Sequence, residues 1–442
     1  MGASLRPVHQ AVQGYARNDL FVSFPANCYI IRFFSKGKRE VDFKAEEAMK
    51  IAKSLSFPRL VGSPGEEKAA SLIEKKLIDA GYHPQREEFM IPLTPWTMMK
   101  GFVFLAILIS ILARGLSTFS SMSAGIFMLL MVAFLAFYPS FWMKFGGSEF
   151  PFPWLRGRKK KEGLFVSQNV VASLPADEKA EQYLYLIAHY DSKSQSLSLL
   201  HRAFSLLLAG LASLWVGFIY LWTPGERLSF FPSWEVDFPL ALAFLGMITL
   251  LFLRTGNRSA GGLDNAGSLG VLLHLAEALK QKRTFRSQVI FLFSGAEELG
   301  LQGAFAYLQK HRREIEKEKS YFVNLDCVGV KGRTRIFSRK GFFPVGKESI
   351  FVSRLKEIGK PFKIGLWSFS FGFLMDHQAI MEKGYQAVTL ACPSKKILKV
   401  HTADDTAAHL EKEGMEEVGK FILAWIESFE KGRNLDKTGT VK

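Results

Sequence analysis

Tyr183-Leu184-Tyr185-Leu186-Ile187-Ala188-His189-Tyr190-Asp191-Ser192 decides how this chain is read. Six apolar residues in succession predict a strand, and the run ends abruptly in a histidine and an aspartate. The same pattern recurs outward from it, with apolar strands expected at 166–174, 288–294, 321–325 and 387–392. Helical periodicity fills the intervals at 265–281, 301–319, 348–359 and 407–431, and earlier at 45–81, where it is interrupted at 58–65. Such alternation predicts an α/β fold, a mainly parallel sheet with helices on both faces. A sheet of that kind carries its site at the carboxyl ends of its strands.

The 442-residue chain as a whole is unusually apolar: 48% of residues are hydrophobic and 22% charged, with 40 Phe against 11 Tyr. That excludes a disordered, collagen-like or small disulfide-stapled protein. The formal charge is nonetheless +16. A nucleic-acid surface or the basic flank of a membrane protein would produce it. Cys28, Cys327 and Cys392 are too widely spaced for a disulfide framework or a cysteine zinc site, which points to a reducing compartment.

Four uncharged runs favour the membrane. They form two pairs, 101–113 with 123–138 and 203–222 with 239–253, read as two inserted hydrophobic hairpins and about four transmembrane helices. The expected organisation is an N-terminal extension at 1–44, a catalytic domain assembled from 45–95, 163–198 and 255–433, hairpins at 96–145 and 199–254, and a tail at 434–442. Each pair returns the chain to the side it left, so everything outside the pairs shares one side. That side carries Lys100, Lys144, the run 156–161 (RGRKKK), Arg202, Arg254 and Arg258. By the positive-inside rule it is the cytoplasm, and 1–44 offers no secretory signal to contradict this. Residues 1–40 and 96–163 together account for +10 of the +16, so the charge is read as a flank facing anionic lipid. No motif supports nucleic-acid binding.

Acidic and imidazole side chains gather where strands end and helices begin: His189 and Asp191, Asp264, Glu297 and Glu298, Asp326, then His401 with Asp404 and Asp405. Any one of them alone reads as a helix cap or a buried hydrogen-bonding group. Adjacent Glu297 and Glu298 repel one another unless a cation compensates them. Together they make a hard N/O ligand set suited to zinc or another first-row divalent ion.

These segments resemble the co-catalytic di-zinc aminopeptidases, whose relatives include the glutamate carboxypeptidases and glutaminyl cyclases. The likeness runs through 59–65 (RLVGSPG), HYDS at 189–192, DNAG at 264–267, 297–303 (EELGLQG), Asp376-His377 and HTADDT at 401–406. It implies two zinc ions per chain: His189 and Asp326 on one, Glu298 and His401 on the other, and Asp264 bridging. It makes Glu297 the general base toward a metal-activated water, and Asp191 the carboxylate that orients His189. The implied activity is hydrolysis of an N-terminal peptide bond, so a peptide is the expected substrate and the lipid bilayer the expected environment.

Two other readings stay open. Glutaminyl cyclase-like aminoacyl transfer is favoured by Lys193 after HYDS and by the aromatic stretch 367–371 (WSFSF), and opposed by Val400 before His401 and by the EELGL run. A non-catalytic membrane receptor could keep the fold as a scaffold. The second hairpin separates His189 from Asp264, which places the site close to the bilayer and suggests substrates arriving from it, unless the hairpins are only anchors.

Overall fold

The computed structural model describes residues 42–91, 95–117, 120–145, 165–222, 234–281, 285–339, 348–367 and 374–430. Nearly all of the expected N-terminal extension, the basic run 156–161, the aromatic residues 368–371 and the tail 434–442 lie outside these.

Helices α1 (Ala45–Leu55) and α2 (Pro64–Asp79) precede strand β1 (Gln85–Ile91), then helices α3 (Pro95–Leu116) and α4 (Ser121–Phe145). Next come β2 (Phe165–Leu174), β3 (Tyr183–His189) and the short β4 (Ser194–Gln195), followed by helices α5 (Leu199–Trp222) and α6 (Trp234–Leu251) and the short β5 (Thr255–Gly256). After these the chain alternates: α7 (Gly267–Lys280), β6 (Gln288–Ser294), α8 (Gln302–Lys310), β7 (Ser320–Leu325), β8 (Arg335–Phe337), α9 (Ile350–Gly359), β9 (Gly365–Leu366), α10 (Asp376–Glu382), β10 (Gln386–Ala391) and α11 (Lys412–Glu430).

Eight strands form one sheet in the order β1-β2-β6-β3-β7-β10-β8-β9. The four central strands, β6, β3, β7 and β10, are mutually parallel, while β1, β2 and β8 pair antiparallel. The sequence-based α/β reading therefore holds, with antiparallel additions toward the edges. Side chains alternate along β3 as a pleated strand requires. Leu184, Leu186 and Ala188 join one core with Ala52 of α1, Ile73 of α2, Leu272 of α7 and Trp425 of α11; Tyr185 and Ile187 join another with Leu308 of α8 and Ile380 of α10. Burial on both faces explains the unbroken apolar run.

Among the elements that depart from expectation, two have a plain physical reason. The charged strand β1 (QREEFMI) is an edge strand paired only to β2, so most of its side chains face water and the apolar signal is lost. Helix α8 stops at Lys310, whereas its periodicity predicted a helix to 319. Beyond Lys310 only Ile315 and Ser320 are buried in the following ten positions, leaving no apolar stripe for a helix to dock.

Helices α3 to α6 pack as a separate bundle around Ala106, Ala124, Met128, Val216, Ala243 and Met247. Contact is close at the small residues: a Cβ on Gly246 would stand 2.6 Å from the Ser205 carbonyl oxygen. Outward-facing Phe104, Leu211, Phe218 and Trp222 are exposed, an apolar surface far larger than scattered surface hydrophobes account for. Met98–Leu116, Leu199–Trp222 and Trp234–Leu251 are each long and apolar enough to cross a membrane; α4 contributes the apolar stretch Ser121–Ala133 among the described residues. Arg114 near the end of α3 pairs with Asp237 at the start of α6, Nε to Oδ1 at 2.7 Å, so the distal ends of the two hairpins meet. The other end of the second hairpin is closed by the β4–β5 ladder and by Ser196 N–H donating to the Arg254 carbonyl at 2.9 Å.

Candidate metal centre

The parallel strands deliver the polar residues to one place. His189 is the last residue of β3, Asp326 follows β7, and Glu297 and Glu298 follow β6 through Ala296, whose φ is 54°. Asp264 lies in the short turn Gly262–Ala266 that opens α7, and His401 lies in the loop before α11 with φ 64°.

Asp264 stands between two imidazoles. Its Oδ1 is 3.0 Å from His189 Nε2 and its Oδ2 is 3.3 Å from His401 Nε2. Asp326 Oδ1 is 3.9 Å from His189 Nε2, and Glu298 Oε2 is 3.0 Å from His401 Nε2. Two groups of donors result, His189 with Asp264 and Asp326, all buried, and buried Asp264 and Glu298 with the half-buried His401, each drawn together closely enough to hold a metal ion. The fit is supported by atoms that have no other use. His189 Nε2, Asp264 Oδ1 and Glu298 Oε1 are fully buried without a hydrogen-bond partner, although the first two are only 3.0 Å apart. Buried polar atoms without partners are costly, and a cation among them would satisfy all three.

Glu297 completes the group, with Oε2 4.0 Å from His189 Nε2. Burial, and then the neighbouring charges of Asp326, Glu298 and Asp376, push its carboxyl well above the usual carboxylate range. Asp191 is fully buried and spans the two adjacent amides, accepting from Glu297 N–H and Glu298 N–H at 3.1 Å each. It therefore fixes the backbone that presents both glutamates. Its carboxylate is 3.5 Å from His189 Nδ1, while its own backbone carbonyl is closer to that nitrogen at 3.2 Å. The Asp191 main chain thus lies nearer to His189 Nδ1 than its carboxylate does, and the carboxylate binds the two glutamate amides.

Motif residues without an expected role turn out to be supports. Arg59 is fully buried and donates to the carbonyls of Leu55, Phe57, Tyr190, Ala260 and Gly261, tying the end of α1 to both ligand-bearing loops. Asp405 accepts from the amides of Leu263 and Asp264 at 2.7 and 3.4 Å, so the HTADDT segment braces the Asp264 turn. His377 accepts from the Thr389 hydroxyl at 2.7 Å, and burial lowers it to about 4, which leaves it a neutral hydrogen-bonding ring. Asp376 accepts from the Ser294 hydroxyl at 2.6 Å, and burial raises it to about 7.

Two contacts had no signal in the sequence. Lys193 Nζ is 2.8 Å from Glu298 Oε2 and donates to the Glu298 carbonyl at 3.1 Å, a buried pair between residues 105 positions apart. Arg202, from the first turn of α5, places Nη2 3.3 Å from His401 Nδ1. His401 is also held through its carbonyl, which accepts from Gln195 N–H of β4 at 2.9 Å.

Known proteins share this arrangement at the level of fold and partial sequence. Aminopeptidase YwaD of Bacillus subtilis is 27% identical over 190 residues, 42% of this chain and 40% of that protein. A vacuolar membrane protease of Candida tropicalis is 27% identical over 154 residues, 34% of this chain and 15% of its own length. This chain thus matches less than half the length of either relative. Among solved structures, the zinc aminopeptidase BSAP of Bacillus subtilis superposes with a TM-score of 0.50 at 15% identity, covering 88% of this chain and 96% of that one. An Acidobacteriales bacterium glutaminyl cyclase superposes with 0.51 at 13% identity, covering 90% and 98%. Both carry the same fold, and at these identities the likeness concerns the fold alone. The model of peptidase family M28 matches residues 233–426, somewhat less than half of the chain, a stretch that includes Asp264, Glu297, Glu298, Asp326 and His401.

Proposed function

We propose that the protein is a membrane-bound, zinc-dependent peptidase that removes N-terminal residues, with two metal positions sharing Asp264. The observation that carries it is the set of buried, unpartnered atoms on His189, Asp264 and Glu298, beside a fourth carboxylate, Glu297, whose Oε2 lies 4.0 Å from His189 Nε2. Peptidase family M28 supplies the reaction class, and the relatives named aminopeptidase and membrane protease support the direction.

His189 and Asp326 would hold one zinc, and Glu298 and His401 the other. Bound there, the pair would supply Lewis-acid polarisation of a carbonyl and acidification of a shared water. The chain's own residues do the rest. Glu297 takes the proton of the attacking water and hands it to the leaving amine, a role its place beside the ligands without a ligand's part suits. Asp191 keeps Glu297 and Glu298 in register, and Lys193 holds Glu298 against His401.

The paired helices support a multi-pass membrane protein, and the basic flanks support a catalytic side in the cytoplasm. The closed neck of the second hairpin, bonded to the His401 carbonyl, supports access close to the bilayer surface. One observation favours the alternative, glutaminyl cyclase-like chemistry: the HYDSK segment puts Lys193 directly on Glu298. The deciding assay incubates purified, zinc-loaded protein with Gln-initiated and Leu-initiated peptides. Released free amino acid from both supports the peptidase; ammonia and a cyclised N-terminus from the Gln peptide alone reverse the assignment. Absence of bound zinc would leave only the receptor reading.

A further inference from the structure

Arg202 lies within the first turn of α5, in a segment long and apolar enough to cross a membrane. Its Nε is buried without a hydrogen-bond partner, and among the described residues no carboxylate lies within ion-pair distance of it. Glu298 is already engaged by Lys193 at 2.8 Å and by His401 at 3.0 Å.

The partner that Arg202 does have is conditional. His401 Nδ1, 3.3 Å from Nη2, can accept a hydrogen bond only while the ring proton sits on Nε2. If Nε2 gives its lone pair to zinc, as proposed above, the proton moves to Nδ1 and that atom becomes a donor. Two donors then face each other, and the half-buried guanidinium, its Nε enclosed without a partner, is left in need of an acceptor. Its paired N–H groups match a carboxylate. A dipeptide carries its carboxylate one residue past the cleaved bond, a step of about 3.8 Å between Cα atoms, and Arg202 stands one imidazole ring away from the ligand cluster.

We propose that Arg202 receives the free α-carboxylate of a short peptide substrate, so that the membrane hairpin supplies the specificity of the site. This rests on the peptidase reading and deepens it. The test uses the full-length, zinc-loaded protein with Leu-Gly and Leu-Gly-amide as probes. Wild-type protein should show a KM for Leu-Gly about 10-fold to 100-fold below that for the amide, the range of one charge-assisted hydrogen bond. Arg202→Gln should abolish that preference, and its zinc affinity, read by competition with a chelating dye, should be unchanged or tighter. Weaker zinc binding in Arg202→Gln, or equal losses on both peptides, would make Arg202 a structural support for His401 and overturn the proposal. If the wild type cleaves neither peptide, the peptidase reading fails separately: calorimetric binding of the two probes still reads the preference, and equal affinity for both refutes it.

Discussion

The two halves of the candidate metal centre are built differently. His189 and Asp326 sit at the ends of adjacent parallel strands, β3 and β7, and their side chains are 1% and 9% exposed. Their position follows from the ladder that forms the core. Glu298 and His401 sit on loops, one just after Ala296 and the other itself in the left-handed region that non-glycine residues avoid. Strand β4 holds His401 in that conformation, Gln195 N–H donating to its carbonyl at 2.9 Å. The first half is a product of the sheet, whereas the second is completed at the neck of the second helical hairpin. Asp264 belongs to both.

Breaking the shared residue should have the largest effect. Asp264→Ala is expected to empty both halves, with hydrolysis below detection and zinc per chain far below that of the wild type by elemental analysis; retention of full metal would deny the bridging position. Lys193→Met acts on the second half alone. Supporting residues of this kind typically govern metal affinity by about 10-fold to 100-fold. A chelator titration should therefore resolve one weakened and one unchanged zinc, and equal weakening of both would erase the contrast between the halves.

Glu66 gives the smallest effect on the metals and serves as a control from the shared scaffold. It accepts from the Ser167 hydroxyl and from Gly62 N–H, and burial raises its carboxyl to about 7 from 4.5. The folded state then binds the proton more tightly than the unfolded chain, so stability falls as pH rises from about 4.5 to about 7, by on the order of 2–3 kcal/mol. Glu66→Gln should flatten thermal stability across that window and leave zinc content untouched. A slope identical to the wild type would mean that Glu66 does not titrate there.

The same contrast explains what could be read from the sequence. His189, Glu297, Glu298 and Asp326 follow apolar strands closely, so a break from hydrophobic to acidic or imidazole residues marks them, and the strand pattern itself gives the parallel sheet. Asp264 and His401 lack a strand of their own and were legible through their motifs. Lys193, Arg202 and Asp405 act on residues far away in the chain, and a lysine among polar neighbours carries no mark of a glutamate 105 positions later. Strand β1 was hidden because an edge strand exposes most of its side chains, and the end of α8 because charged residues continue a helical rhythm without an apolar face to bury.

Glu297 tests the account most directly, since the proposal gives the metals to His189, Asp264, Glu298, Asp326 and His401 and gives the proton transfer to this carboxylate. In Glu297→Gln the backbone amides stay on Asp191 and the five proposed ligands are untouched. Peptide hydrolysis should fall by about 10²-fold to 10⁴-fold, the usual share of a general base, while zinc per chain measured on the same sample stays at the wild-type value. Hydrolysis within tenfold of the wild type, or a loss of zinc in step with activity, would contradict it.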